Sequence, residues 1–301
     1  MKLSVAIITY NHEEFIEQTL KGIFNQKVNF DFEVIIGEDN STDSTAAIIE
    51  KYKALYPSKI FVKYRKSNIG MMPNFIDVLE TCKGKYIASI EGDDYWVSDY
   101  KLQKQVDFLE ANQEYVITWT DFKITKNGTI LNNDFCYNLD VVTIDYTNLF
   151  TPYSTYTLTA VYKKEALDIA VLKKLKHSKD NSLYIMLLQK GKGAFLNFVG
   201  AHYRIHQGGV YSLKSEFFKK YSSYLNLKEI TQVIPESQTK NINKIIKSLA
   251  NGAAFAALKS KYTGEKLSSV QNEFMTTHFK KAPFKTKCKY YKRIFKYKFL
   301  K

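Results

Sequence analysis

Leu3-Ser4-Val5-Ala6-Ile7-Ile8-Thr9-Tyr10-Asn11 is an apolar run that ends in polar residues, and it sets the pattern for the first part of the chain. Apolar residues at helical spacing follow over residues 15–24, and a second apolar run occupies residues 32–36. A strand, a helix and a strand in this order are typical of a parallel sheet whose strands are joined by crossover helices. The sequence therefore predicts an α/β fold.

The same alternation continues to about residue 120. It predicts strands at residues 60–64, 86–90 and 116–120, and helices over residues 41–56, 73–82 and 102–109. Beyond this point the pattern is mixed, because Asn127-Gly128 is a hairpin signal. Residues 158–162 are predicted to be a strand, and residues 195–204 either a strand pair or one bent strand. After Ser215 the pattern is almost entirely helical, with an amphipathic helix over residues 241–258.

The composition is that of a folded protein with an excess of positive charge. The 301 residues include 44 Lys and Arg against 30 Asp and Glu, which gives a net charge of +14, and 45% of the residues are hydrophobic. A disordered chain is excluded, and no apolar run is long enough to predict a signal peptide or a membrane span. Cys82, Cys136 and Cys288 are widely spaced, which fits a reducing cytoplasm.

The length suits one large domain or one domain with an appendage. We predict an α/β catalytic domain over residues 1–213, a helical region over 214–284 and a basic amphipathic tail over 285–301. The tail has eight Lys and Arg interleaved with aromatic residues and no acidic residue. This pattern favours an interfacial helix on an anionic membrane, and a solvated end or one docked on its own domain is the alternative. A nucleic-acid binder would spread such residues over a whole face, so nucleic acid is not an expected partner.

Polar residues stand directly after three of the predicted strands. They are Thr9-Tyr10-Asn11, Glu38-Asp39 and Glu91-Gly92-Asp93-Asp94. Open α/β sheets bind ligands beyond the carboxyl ends of their strands, so we expect these side chains to converge on one edge of the sheet. The turn after the first strand has no glycines, which argues against a dinucleotide site, and the chain has no Walker phosphate loop.

The acidic segment at residues 91–94 could neutralise phosphates in place of a glycine loop. Mg²⁺ and Mn²⁺ prefer carboxylate oxygens and bridge them to substrate phosphates. Glu91 and Asp93 are alternate residues of an extended segment and therefore share one side of it. The sequence predicts a divalent-cation site here, and a solvated acidic turn is the alternative.

Four motifs in order give the chain a family likeness. Ser4-Val5-Ala6-Ile7-Ile8-Thr9-Tyr10-Asn11, Glu38-Asp39-Asn40-Ser41-Thr42-Asp43, Asn68-Ile69-Gly70 and Glu91-Gly92-Asp93-Asp94-Tyr95-Trp96 resemble the family 2 inverting glycosyltransferases of GT-A fold. The likeness covers residues 1–110 and extends through Asp180-Asn181 to residues 203–212. It implies a GT-A type, mostly parallel sheet flanked by helices, here followed by a C-terminal helical appendage.

The resemblance implies a role for each matching residue. Asp93 would bind the metal directly, and Glu91 would contact either the ribose or a group that is itself bound to the metal. Asp39 would accept a hydrogen bond from the nucleotide base, and a cap on the following helix is its alternative role. The implied nucleotide-binding residues are Thr9, Tyr10, Asn11, Asp39, Asn68, Gly70, Glu91 and Arg204.

Catalysis and acceptor binding are implied for a second group of residues. Asp180 matches the general base that activates the acceptor hydroxyl, and capping the helix predicted over residues 182–190 is its alternative role. His206 follows an apolar strand and precedes two glycines, which suits a further metal ligand or a phosphate contact, with a plain surface position as the alternative, and Arg204 is a candidate phosphate contact. The implied sugar or acceptor contacts are Asp94, Tyr95, Trp96 and Tyr211, with core packing as the alternative for the aromatic ones.

The sequence thus predicts a metal-dependent inverting glycosyltransferase with Mn²⁺ or Mg²⁺ as cofactor. It would move a sugar from a nucleoside-diphosphate donor, with a UDP-sugar expected, to a hydroxyl of a glycan or lipid-linked acceptor, as in surface polysaccharide synthesis. The expected location is cytoplasmic, peripheral on the inner face of the membrane. A non-catalytic nucleotide-binding regulatory module is one alternative. A nucleotidyltransferase is the other, although it needs a basic glycine-rich loop that the first strand lacks.

Overall fold

The predicted alternation of strands and helices is present in the computed structural model, which describes residues 1–131, 139–146, 148–149, 155–209 and 214–299. The first strands are β1 (Leu3–Thr9), β2 (Phe32–Glu38), β3 (Ile60–Tyr64) and β4 (Tyr86–Glu91). The helices that follow them are α1 (Ile16–Phe24), α2 (Thr45–Leu55), α3 (Met71–Thr81) and, after the short strand β5 (Tyr95–Trp96), α4 (Lys101–Ala111). The predicted elements of this region are confirmed, and only their ends differ.

The strand β1 lies between β2 and β4 in a parallel arrangement, and β3 pairs with the far side of β2. In this register Thr9 is opposite Glu38, and Ile8 is opposite Glu91. Both β1 and β2 are buried almost throughout. Their nearly unbroken apolar sequences follow from this position, because a parallel strand is covered by helices on both faces. The carboxyl ends of β1, β2 and β4 therefore lie side by side.

The later strands convert the parallel sheet into a mixed one. They are β6 (Tyr115–Lys126), β7 (Thr129–Leu131), β8 (Val141–Ile144), β9 (Val161–Lys163) and β10 (Lys192–Ile205). The strand order is β3-β2-β1-β4-β9-β6-β10-β5, with β7 beside β6 and β8 beside β10. The predicted hairpin joins β6 to β7, and its residues Asn127 and Gly128 have φ of 49° and 76°, as a type I′ turn requires.

One predicted segment differs from the structure, and for another the structure decides between two predicted forms. Residues 158–162 were expected to be extended, but Thr157–Thr159 form a 3-10 turn and the strand β9 begins only at Val161. The carbonyl of Leu158 accepts a hydrogen bond from the indole N–H of Trp96 at 2.8 Å, so a side chain satisfies it instead of a neighbouring strand. The strand β10 is continuous and bent, since its register with β6 shifts between Leu196 and Ala201.

Two helices follow β9, namely α5 (Ile169–Lys174) and α6 (Asp180–Leu187). The chain then divides into two compact units, Met1–Gly208 and Gly209–Lys301, and the boundary predicted at residue 213 lies a few residues beyond this division. The second unit contains α7 (Glu216–Ile230), α8 (Glu236–Tyr262), α9 (Ser269–Phe274), a π-helical turn (Met275–Phe279) and α10 (Phe284–Phe299). The predicted amphipathic helix lies inside α8, whose buried alanines pack against aromatic residues such as Phe217 and Phe274.

The predicted basic tail forms the helix α10. Tyr290 is 8% exposed, its ring stacks on that of Phe255 with centroids 5.0 Å apart, and its hydroxyl donates to the carbonyl of Asn251 at 2.8 Å. For Tyr290 the structure therefore shows the docked alternative. Phe284, Tyr291 and Phe295 are exposed. Within the described part of the chain, no helix combines the length and the apolar character needed to cross a membrane.

The two units differ sharply in charge. Residues 209–301 contain 20 Lys and Arg against 5 Asp and Glu, whereas residues 1–208 contain 24 against 25. The net charge is therefore +15 for the second unit and −1 for the first. The positive charge of the protein thus belongs to the helical unit as a whole, and the sheet-containing unit is close to neutral.

Candidate active site

The polar residues predicted to converge do lie on one edge of the sheet. Thr9 ends β1, Glu38 ends β2 and Glu91 ends β4, and the registers of these neighbouring strands place the three ends side by side. Thr9 and Asp39 are only 2% and 3% exposed, whereas the side chain of Asp93 is 19% exposed. The edge therefore combines a buried polar floor with an acidic group that solvent can reach.

Asp39 holds the loop that contains Asn68 and Gly70. One carboxylate oxygen accepts from the backbone N–H of Ile69 at 2.8 Å, and the other accepts from the N–H of Gly70 at 2.9 Å. Gly70 also donates to the side chain of Asn68, and its φ of 88° lies in the region that favours glycine. At the start of α2 the backbone N–H of Thr45 donates to the carboxylate of Asp43 at 2.9 Å, so among the described contacts Asp39 holds the 69–70 loop and Asp43 binds the helix start.

The turns after β1 and β2 are joined by several hydrogen bonds. Asn11, with a φ of 55°, donates through its backbone N–H to the hydroxyl of Ser41 and accepts from the N–H of Thr42 at 2.8 Å. The N–H of Glu13 donates to Asp43. Tyr10 is 38% exposed beside them. The two turns therefore form one surface, in which Asn11 acts as a brace and Tyr10 remains available to a ligand.

Two histidines face the carboxylate of Asp93. Nε2 of His206 lies 3.0 Å from Oδ2 of Asp93, and Nε2 of His12 lies 3.7 Å from the same oxygen. Each histidine side chain is 12% exposed. The predicted pair of Asp93 and His206 is thus brought together, and His12 is a third member that the sequence analysis did not single out. Burial lowers the pKa of His12, so its imidazole is neutral near pH 7 and can act as an acceptor.

The backbone of the acidic segment is fixed from two sides. A Cβ at Gly92 would stand 2.5 Å from the hydroxyl oxygen of Thr9 and 2.9 Å from Nδ1 of His12, so only glycine fits there. From α1, the hydroxyl of Thr19 donates to the carbonyl of Asp94 at 2.6 Å and contacts that of Gly92 at 3.0 Å. The position of Asp93 is therefore set before any ligand arrives.

Arg204 holds the acidic segment in place through contacts with Asp93 and Asp94. Its guanidinium lies between the rings of Phe15 and Tyr95, 4.7 Å from each centroid, and donates to the carbonyl of Asp93 and to the side chain of Gln18. Its backbone N–H donates to the carboxylate of Asp94 at 2.8 Å. The predicted phosphate contact of Arg204 stays a prediction. The observed contacts identify this residue as a brace for the Asp93 backbone.

The predicted sugar or acceptor contacts occupy different environments. Trp96 is 4% exposed and belongs to the core, so the packing alternative describes it. The hydroxyl of Tyr95 lies 2.9 Å from Nδ1 of His202, and Asp94 is 2% exposed. We therefore do not include Trp96 among residues that face a ligand. Tyr211 lies outside the described residues.

Asp180 is the first residue of α6 and accepts from the backbone N–H of Asn181 at 2.8 Å. It is close enough to Glu91 for its charge to raise the pKa of that carboxyl. Thr157 bridges the two elements, because it hydrogen-bonds Glu91 and its hydroxyl lies 3.4 Å from that of Tyr184 on α6. The fold thus brings Asp180 to the same edge as the acidic segment.

The carboxyl groups at this edge of the sheet differ in the direction of their pKa shifts. Burial, with the charges of Asp93 and Asp180, raises the pKa of Glu91 to about 8, and burial also raises the pKa of Asp94 well above its usual range. Burial raises the pKa of Asp180 as well. Although burial opposes it, the hydrogen bond from His206 and the nearby His12 hold the pKa of Asp93 below its usual value. Asp93 is therefore the carboxylate in this group that is ready to bind a cation.

The residues present fit a divalent cation that is shared with a substrate. Among the residues that the structure describes, no group of three or more His, Cys, Asp and Glu side chains forms a metal cage. Mg²⁺ and Mn²⁺ seldom need one, since Mg²⁺ typically uses one or two carboxylates and completes its shell with substrate phosphates and water. A positive charge at this place would also stabilise the ionised forms of these closely spaced carboxyl groups. Asp93 and the imidazole of His206 beside it are the two protein groups that fit such a shared cation, and His12 lies farther from the same carboxylate oxygen.

Comparison with known proteins shows the family to which this part of the chain belongs. Residues 4–168, which contain β1, β2, β4 and the acidic segment, match the family described as Glycosyl transferase family 2. The chain belongs to this family. The family match contains Thr9, Asp39 and Asp93, whereas Asp180 and His206 lie beyond it.

Two relatives illustrate what this family 2 chain is similar to. It is 39% identical over 133 residues to an uncharacterized protein of Mycobacterium tuberculosis, and this stretch is 44% of the chain and 38% of that protein. It is 28% identical over 235 residues to the Escherichia coli UDP-Glc:alpha-D-GlcNAc-diphosphoundecaprenol beta-1,3-glucosyltransferase WfaP, which is 74% of the chain and 85% of WfaP. The chain therefore spans well under half of the mycobacterial relative.

A solved structure supports the GT-A fold of this family 2 chain. S. aureus TarS 1-349 in complex with UDP-GlcNAc superposes with a TM-score of 0.67 at 20% identity, covering 95% of the chain and 83% of TarS 1-349. At this identity the likeness concerns the fold alone. The fold class predicted from the sequence is confirmed.

Three residues of the family 2 site were not found from the sequence. His12, Phe15 and Thr19 all follow β1, and each acts on residues near the acidic segment. His12 could have been found, because it stands three positions after Thr9 at the end of a strand whose edge was already predicted to bind a ligand. Phe15, whose ring lies 4.4 Å from that of His206, carried no such signal.

Proposed function

We propose that this protein is a metal-dependent inverting glycosyltransferase that moves a sugar from a UDP-sugar to a hydroxyl group of a glycan or lipid-linked acceptor, as in surface polysaccharide synthesis. The observation that carries the proposal is the meeting of Asp39, Asp93 and Asp180 on one edge of the sheet, with His206 3.0 Å from Asp93. A UDP-sugar and a lipid-linked acceptor are supported by the similarity to WfaP, a glucosyltransferase that uses UDP-Glc and a diphosphoundecaprenol-linked acceptor.

Donor binding is assigned to the ends of β1 and β2. Thr9 and Asp39 form the buried floor, and each carboxylate oxygen of Asp39 keeps a lone pair after accepting from the 69–70 loop. Asp39 is thus able to accept a further hydrogen bond from a base N–H. Asn68 and Gly70 close the donor site, with Tyr10 beside it.

The metal is assigned to Asp93 and His206, whose Nε2 lies 3.0 Å from Oδ2 of Asp93. A divalent cation bound here would stabilise the negative charge that develops on the leaving diphosphate. The protein contributes a carboxylate whose backbone is already fixed by Gly92, Thr19 and Arg204. Glu91, held by Thr157, is assigned a contact to the donor ribose.

The transfer itself is assigned to Asp180. Its carboxylate would take the proton of the acceptor hydroxyl as the hydroxyl oxygen bonds to the anomeric carbon and the bond from that carbon to the diphosphate breaks. A single displacement from the face opposite the leaving group inverts the anomeric centre. Burial raises the pKa of Asp180, which makes it a stronger base than an exposed aspartate.

Donor binding can be tested by thermal shift with UDP, UDP-glucose, UDP-N-acetylglucosamine and GDP-mannose, each with and without Mn²⁺. A ligand at about a hundred times its Kd stabilises the protein by about 2.7 kcal/mol, which is a shift of roughly 5–10 °C for a domain of this size. We expect such a shift with a uridine nucleotide and Mn²⁺, and about a tenfold weaker Kd in Asp39→Asn. The matched control is Asp107→Asn on the exposed side of α4. Equal nucleotide binding by both variants would contradict the donor site.

A peripheral membrane location is part of the proposal and is assigned to α10. Phe284, Tyr291 and Phe295 are seven and four residues apart, so they share one helix face, and they are 80%, 49% and 65% exposed. Lys287 and Lys292 lie on either side of this face. Exposed aromatic side chains flanked by lysines fit the headgroup region of an anionic bilayer.

The membrane assignment predicts that Phe284→Ser, Tyr291→Ser and Phe295→Ser together lower partition onto phosphatidylglycerol vesicles about tenfold in co-sedimentation at low salt. Substitution is preferable to truncation, because removing α10 would also remove Tyr290 from the core of the second unit. The control variant changes Phe218 and Tyr262, which are 44% and 47% exposed in the same unit, to serine. Unchanged pelleting of the α10 variant would end the membrane claim.

A further inference from the structure

The second unit contains a cavity that the proposed transfer reaction does not use. It has a volume of about 920 Å³ and is formed by the first part of α7, the second half of α8 and α10. This volume lies in the range of small-molecule sites, about 300–1,000 Å³. All its lining residues fall within Ser215–Tyr290, so it belongs entirely to the second unit.

The walls of this cavity are basic. Four lysines line it, and they come from three different helices, whereas Glu216 and Glu265 are the acidic residues of the lining. Lys220 lies 3.9 Å from Glu216, an ion pair too long to neutralise it fully. The unit around the cavity carries a net charge of +15, so its long-range field also attracts anions. The lining lysines are Lys220, Lys259, Lys285 and Lys289.

The sequence makes room for this arrangement at Gly252. A Cβ at this position of α8 would lie 2.7 Å from Cδ of Lys220. Glycine here lets the stem of Lys220 cross the surface of α8. Hydroxyl groups from Ser248, Ser260 and Thr286 complete the polar lining. The cavity thus offers ammonium groups and hydroxyls together.

The aromatic residues of the cavity argue against a nucleic acid as its ligand. Phe255 and Tyr290 are stacked on one another at 5.0 Å, and Phe217 is stacked on Tyr221 at 5.2 Å. Bases bind single-strand sites by stacking on free ring faces, and in each of these pairs one face of each ring is already covered by its partner ring. A sugar or polyol phosphate needs only charges and hydrogen bonds, which the cavity supplies. The described lining residues include lysine and no arginine, and lysine binds phosphate as a compact point charge.

We infer that this cavity binds the phosphate groups of a phosphate-bearing glycan or polyol chain, and so holds a part of the acceptor away from the reacting hydroxyl. The link to the acceptor rests on the proposed function, whereas the binding site itself does not. Such a site would retain a polymeric acceptor between successive transfers. The inferred acceptor is therefore a polyanion.

The test measures binding of a synthetic poly(glycerol phosphate) of about six units to the full chain by calorimetry, without a donor sugar. We expect Lys220→Ala with Lys259→Ala to weaken the Kd at least tenfold and to reduce its salt dependence. The control, Lys240→Ala with Lys244→Ala, removes the same charge from α8 outside the cavity and should change the Kd less than twofold. Asp180→Asn should bind the polymer as the wild type does, which separates this site from the proposed chemistry.

Four results would overturn the inference. Equal losses in the two lysine pairs would mean attraction by net charge alone. Tighter binding of an oligothymidylate of similar charge would indicate a nucleic-acid site, and tighter binding of oligogalacturonate would indicate a carboxylate site. Phosphatidylglycerol vesicles bound through Lys220 and Lys259, with no binding of the soluble polymer, would identify a lipid headgroup site.

Discussion

Replacing Asp93 by alanine is expected to lower the rate of sugar transfer by about three orders of magnitude. Each tenfold loss corresponds to about 1.4 kcal/mol, so the expected effect is about 4 kcal/mol of lost stabilisation of the leaving diphosphate. The reason lies in the surroundings of Asp93, because burial raises the pKa of the nearby carboxyls Glu91 and Asp94, and the Asp94 carboxylate already accepts from the backbone N–H of Arg204. Its two histidine neighbours would remain, but imidazoles alone do not balance a divalent cation.

The measurement is release of UDP and transfer of labelled sugar, followed over a Mn²⁺ titration. The side chain of Asp93 makes no hydrogen bond to α1, and the segment is held through backbone groups by Thr19 and Arg204, so the variant should remain folded. Asp107→Ala on α4 is the matched control and should retain wild-type turnover. If Asp93→Ala kept both the wild-type rate and the wild-type response to Mn²⁺, the metal would have to bind elsewhere.

The fold of the first 111 residues could be predicted because its signals are local. Apolar runs and helical spacing alternate, and a parallel sheet then follows from the crossover rule. The ends were less predictable, as α3 shows. Its start was predicted at Pro73, yet the helix begins at Met71, since a proline in the first turn lacks only an N–H that would be unpaired there. Gly70, with its positive φ, sets the true start.

The later strands depended on long-range pairing that no local pattern reveals. The strand β6 has 12 residues, although the prediction covered only residues 116–120 and the hairpin arm after them. Asp121 and Lys123 interrupt the apolar pattern, but pairing with β10 keeps the strand continuous through them. The 3-10 turn at Thr157–Thr159 has a similar origin, because it is fixed by the indole of Trp96, a residue 62 positions away.

The positions of the acidic residues of the candidate site could be predicted from the sequence. The residues that hold them in place were much harder to predict. Strand ends of a parallel sheet converge by topology, so the placing of Asp39 and Asp93 followed from the order of elements. The stacking of Arg204 between Phe15 and Tyr95 follows only from tertiary packing. Arginine is suited both to stacking on aromatic rings and to binding phosphate, and the sequence does not distinguish the two.

Replacing Asp180 by asparagine is expected to lower kcat by at least about a hundredfold while leaving the Kd for the donor unchanged, since a lost general base typically costs 10²–10⁴. The substitution separates the two roles that the sequence left open. At a helix N-terminus asparagine caps about as well as aspartate, so a residue that only stabilises α6 would tolerate the change. As a base, asparagine is useless because its amide does not take up a proton near neutral pH.

The control for this test is a true cap in the same unit. Asp168 precedes α5 and accepts from the backbone N–H of Val171 at 3.0 Å, so Asp168→Asn should keep the wild-type kcat.

The pH profile of turnover gives a second readout for Asp180. Burial raises the pKa of Asp180, with Lys179 and the N–H of Asn181 opposing it, and the base must be unprotonated to act. Turnover should therefore fall with decreasing pH at a higher value than for an ordinary aspartate, and this limb should vanish in Asp180→Asn. A near-native rate with an unchanged profile would leave Asp180 as a residue of the helix end and would require another base.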